Sequence, residues 1–115
     1  MGQWKSIYSC LNNDGIDVYS PAQHQGDCIS PYVVVKAKTV TKLSGYSSVQ
    51  AYYDILCYVP KDKYSTLEDF VSSVKTSLAR LYPAIIYDGF ETESFYDESV
   101  KGHMVSIQYR NNRKL

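Results

Sequence analysis

A chain of 115 residues is long enough for one hydrophobic core and too short for two, so a single α+β domain over residues 1–115 is expected, with 110–115 fraying at its end. Twelve Lys and Arg balance twelve Asp and Glu, which argues against a general nucleic-acid binder, a class that is usually basic. There is no apolar run long enough for a membrane span, Met1-Gly2-Gln3-Trp4-Lys5 carries no secretory signal, and Cys10, Cys28 and Cys57 fit a reducing compartment better than a disulfide framework.

Trp4, Ile7, Tyr8 and Leu11 share one side of a short helix, which Asn12-Asn13-Asp14-Gly15 stops with turn chemistry. Ile16 to Tyr19 reads as a short strand ended by Pro21, and Ala22 to Ser30 reads as polar loop. Tyr32 to Val40 is a strand with Val33, Val35 and Ala37 on one face and Tyr32, Val34, Lys36, Lys38 and Val40 on the other. A loop over Thr41–Ser48 follows. Val49 to Val59 is the longest strand signal, with Tyr53, Ile55 and Cys57 on its odd face and Tyr52, Asp54, Leu56 and Tyr58 on its even face. The connection is too short for a parallel crossover, so the two strands are expected to form an antiparallel hairpin.

The main helix is expected over Ser65–Tyr82. Ser65-Thr66-Leu67-Glu68 has the form of a capping box, and Leu67, Phe70, Val71, Val74, Leu78 and Leu81 make one apolar stripe. Pro83 ends it. A strand over Ala84–Tyr87 stops at Asp88-Gly89. A second hairpin then joins Glu93–Asp97 to His103–Arg110. The expected core brings Phe70, Val74 and Leu78 of the helix against Val35, Ile55 and Ile107 of the strands. Helix, strands, helix, strands is an α+β order with a mostly antiparallel sheet.

The search for chemistry finds no catalytic, metal or cofactor site. His24 and Cys28 are four residues apart, but Gly26 lies between them and no second ligand pair follows, whereas zinc needs three or four ligands. His103 and the cysteines sit in no nucleophile motif, and Gly45 and Gly89 are isolated turn glycines. Glu91, Glu93, Asp97 and Glu98 form an acidic group beside a turn, which reads as a solvated rim or a contact for a partner. Arg110, Arg113 and Lys114 make a basic tail, too small for more than weak, salt-sensitive phosphate contacts.

One face does not fit a simple monomer. If the odd face of the central hairpin packs on the main helix, the even face should be polar. Instead Tyr32, Val34, Tyr52, Leu56 and Tyr58 share it with Lys36, Lys38 and Asp54. Either the short first helix covers it as an internal second layer, or another subunit does. A helix of two turns cannot cover a wide sheet, so these eight residues are the predicted interface. Twelve tyrosines against three Phe and one Trp suit such a surface, because a tyrosine ring excludes water while its hydroxyl finds a partner at the rim.

The order of elements, with the strand Pro31-Tyr32-Val33-Val34-Val35, the strand from Tyr52 to Val59, the helix after Ser65 and the ending Tyr96-Asp97-Glu98…Val105-Ser106-Ile107-Gln108-Tyr109-Arg110, resembles small tail-terminator or tail-completion proteins of long-tailed bacteriophages. The resemblance covers nearly the whole chain through strand and turn patterns without a chemical signature. It implies a non-enzymatic α+β virion protein without cofactors, assembled as a homo-oligomeric ring, typically a hexamer. Such a ring sits at the head-proximal end of the tail, caps the tail tube and meets the tube protein and a head-completion or connector protein, after assembly in the bacterial host cytoplasm. Two other readings stay open: a head-completion or connector protein of the same size, and a small cytosolic ligand-binding or enzymatic α+β domain.

Overall fold

A computed structural model describes residues 4–21, 26–37, 41–42, 49–50, 52–82 and 84–111. The chain begins with helix α1 (Trp4–Asn13), whose Ile7 and Leu11 are buried. Its end is a Schellman motif: the Ile16 N–H donates to Leu11 O and the Gly15 N–H to Asn12 O, both at 3.1 Å. Gly15 has φ +80°, a conformation that a Cβ disfavours, so the predicted stop falls where expected.

Strands β1 (Val18–Tyr19) and β2 (Tyr32–Ala37) pair in parallel, and β2 pairs antiparallel with β5 (Tyr52–Pro60). Between these two come β3 (Thr41–Lys42) and β4 (Val49–Gln50), which pair with each other as a separate two-stranded sheet. The expected loop over Thr41–Ser48 therefore begins with a strand; its residues 43–48 lie outside the described residues, as do Lys38 and Val40.

The main helix α2 spans Leu67–Leu78, shorter than expected, with a 3-10 turn at each end (Lys61–Thr66 and Ala79–Leu81). The capping box does not form. A capping residue sits in extended backbone just before the helix, but Ser65 lies inside the 3-10 turn, and Thr66, which does precede the helix, has helical angles (φ −94°, ψ −4°) and makes no side-chain cap. The Thr66 hydroxyl instead donates backwards to Lys63 O at 2.7 Å.

Strand β6 (Ile85–Glu91) runs through the predicted stop at Asp88-Gly89. Gly89 has φ +79°, and between Tyr87 and Glu91 the strand advances four residues while its partner advances two. The glycine thus makes a bulge in the strand, where a turn was expected. Strands β7 (Phe95–Asp97) and β8 (Gly102–Asn111) form the predicted second hairpin.

The six-stranded sheet has the order β1-β2-β5-β8-β6, with β7 beside β6 on the same flank of β8. β5, within the longest strand signal of the sequence, lies between β2 and β8. Both helices lie on the odd face. Val33, Val35, Ile55, Cys57, Val59 and Ile107 from the sheet join Ile7, Leu11, Val74 and Leu78 from the helices in one buried cluster. Phe70 was expected inside it but is only half-buried and packs against its edge, while Ser77 beside it is buried.

Candidate interaction face

The position of α1 decides what the even face of the sheet can be. The Trp4 indole N–H donates to Val35 O at 2.8 Å, and the Cys10 thiol donates to Ser77 O at 3.1 Å. Arg80 of the last turn pairs with Asp14 just after α1. These contacts tie α1 to the edge of β2 and to the flank of α2, on the face α2 already covers. The first helix therefore does not form a second layer over the even face.

The register places that face across three strands. Val34 stands beside Leu56, and Leu56 beside Ser106; Tyr58 faces Met104, Asp54 faces Gln108 and Tyr52 faces Arg110. Val34, Tyr52, Asp54, Leu56 and Tyr58 are half-buried, and Lys36 is exposed. Tyr32 is the exception among the predicted interface residues that are described. It is 3% exposed, so it belongs to the interior of the monomer. Its ring stacks on Tyr58 and meets Tyr19 edge-on at 5.5 Å. Lys38 lies outside the described residues.

One end of the face is closed by the chain itself. The Cys28 N–H donates to Val100 O at 2.6 Å, and Cys28 packs on Gly102. Burial pushes the Cys28 thiol up to about 11 and Tyr32 above the ordinary tyrosine range. The Tyr58 hydroxyl points at Asp97, 3.5 Å away; burial first, then that carboxylate, raises its pKa. The open part of the face is therefore the strip from Val34 across Leu56 to Ser106, flanked by Lys36 and Asp54.

The residues suspected of chemistry are scattered. His103 lies between the rings of Tyr64 and Tyr96, with centroids at 4.7 and 5.3 Å, and its Nε2 is 3.3 Å from Lys61 O. The acidic group does not converge. Glu91 pairs with Lys75 at 2.6 Å and accepts from Tyr87, while Asp97 accepts from Tyr58 and Ser99. Among the described residues no group of three His, Cys, Asp or Glu could hold a metal ion, and His24 lies outside them.

Sequence reasoning missed a second surface. Tyr82, Tyr87, Phe90, Phe95 and Tyr96 are all exposed, Tyr82 at 69% and Phe90 at 58%. Tyr87, Phe90, Phe95 and Tyr96 lie in β6 and β7 at one edge of the sheet, with Tyr82 shortly before β6; Tyr87 and Tyr96 stand opposite Tyr109 and His103 on the helix-bearing face, and Phe95 stands opposite Met104 on the other. The signal was present as five aromatic residues within the stretch 82–96. It was hidden because period-two reading assigns a face to each residue and does not reveal which strand ends at an edge.

No protein-family model matches the chain, and no curated protein matches it. Among the described residues no helix is long and apolar enough to cross a membrane.

Proposed function

We propose that the protein is a non-enzymatic structural component of a long-tailed bacteriophage, working as a homo-oligomeric ring that caps the tail tube at its head-proximal end. In that role one side of the ring meets the tube protein and the other a head-completion protein. The reading is supported by the order of elements and, above all, by one observation: both helices pack on the same face, leaving Val34, Leu56, Tyr52 and Tyr58 half-exposed on the other. Apolar side chains grouped on an open sheet face are a candidate surface for a partner. Self-association covers it, and closed symmetry turns repeated contacts of one kind into a ring.

The experiment is the double variant Leu56→Glu/Tyr58→Glu, followed by light scattering and circular dichroism. Loss of the oligomer with retained secondary structure is the expected result. The capping role is tested separately, by electron microscopy of tail tubes grown with and without the protein. Tubes of unchanged length with no ring at either end would refute it.

A further inference from the structure

We draw no further inference here: the strongest candidate, the sheet edge formed by β6 and β7 with Phe90 and Phe95 exposed along it, carries none, because nothing in the structure shows what covers it.

Discussion

Tyr32 and Tyr58 stack across neighbouring strands, with ring centroids 4.7 Å apart and planes inclined by 20°. They stand opposite each other in the β2–β5 register, so the stack is a cross-strand pair of the kind that fixes register in a sheet. It also divides the even face. On one side of it the chain around Cys28 closes the sheet, and on the other the strip of Val34 and Leu56 stays open.

This pair gives the first prediction. Burial, with Tyr58 as the next cause, raises the Tyr32 pKa, and burial does the same for Tyr109 on β8. A folded-state pKa above the unfolded value means that the folded chain holds its proton more tightly. The resulting stability is complete below the unfolded tyrosine pKa of about 10 and is lost as pH rises beyond it. Alkaline titration should therefore show a late tyrosinate component that coincides with loss of the far-ultraviolet circular dichroism signal. Tyr32→Phe should keep the stack and shift that transition to higher pH.

Leu78 is 1% exposed and sits between the helix and the sheet. Leu78→Ala should cost about 2–5 kcal/mol in urea unfolding, the range for large-to-small changes in a core. Phe70 lies on the same stripe but is only half-buried. Phe70→Ala should cost clearly less than Leu78→Ala, which the same unfolding series would show.

Much of the fold was legible because its periodicities are strong. The alternation in Tyr52–Val59 identified the central strand and its buried side, and the stripe from Leu67 to Leu78 identified the face of α2. What could not be read was which way whole elements lie. The one-sided spacing of Ile7 and Leu11 says that α1 is amphipathic, and says nothing about which face of the sheet receives it. The Cys10–Ser77 and Arg80–Asp14 contacts that settle this join residues 66 or 67 positions apart. The capping box failed for a related reason: local sequence favoured Ser65 as a cap, but the chain leaving β5 at Pro60 already turns as a 3-10 helix through Ser65. The aromatic flank could be recognised only when β6 and β7 were known to lie at the edge.

Lys75 and Glu91 link α2 to β6, with both side chains about a third exposed. Lys75 is the leading cause that holds the Glu91 carboxyl below its ordinary range. A depressed folded-state pKa contributes stability that is present above the unfolded glutamate pKa and is lost as pH falls through the folded one. Glu91→Gln should thus lower stability at neutral pH by about 0.2–1 kcal/mol, the scale of a solvent-screened pair, and flatten the acid limb of the stability profile. Added salt should shrink the difference between the two proteins.

Gly102 begins β8 where Cys28 crosses it. A Cβ at this position would come within 2.9 Å of the Cys28 Cβ and of the Val59 carbonyl oxygen. The second of these is backbone in the central strand and cannot swing aside. Gly102→Ala should destabilise the fold by about 1–3 kcal/mol, as overpacking does. Cys28→Gly in the same chain removes one of the two clashes, so it should recover part of the loss and not all of it.

The three cysteines should separate by reactivity. The thiolate is the reacting form, so a buried thiol with a raised pKa is protected twice, by access and by protonation. Cys57 is fully buried and pushed up to about 12, and Cys28 is buried and pushed up to about 11, in both cases mainly by burial. Cys10 is half-exposed on α1, where the Arg80 guanidinium lies 3.8 Å from its sulfur. A chromogenic disulfide reagent at neutral pH should therefore modify one thiol quickly and the other two only at the rate of unfolding. Cys10→Ser should abolish the fast phase and leave the slow one unchanged. Two fast thiols in the natural chain would mean that Cys28 is not held against Gly102, and that the end of the even face is open where the Tyr32–Tyr58 stack needs it closed.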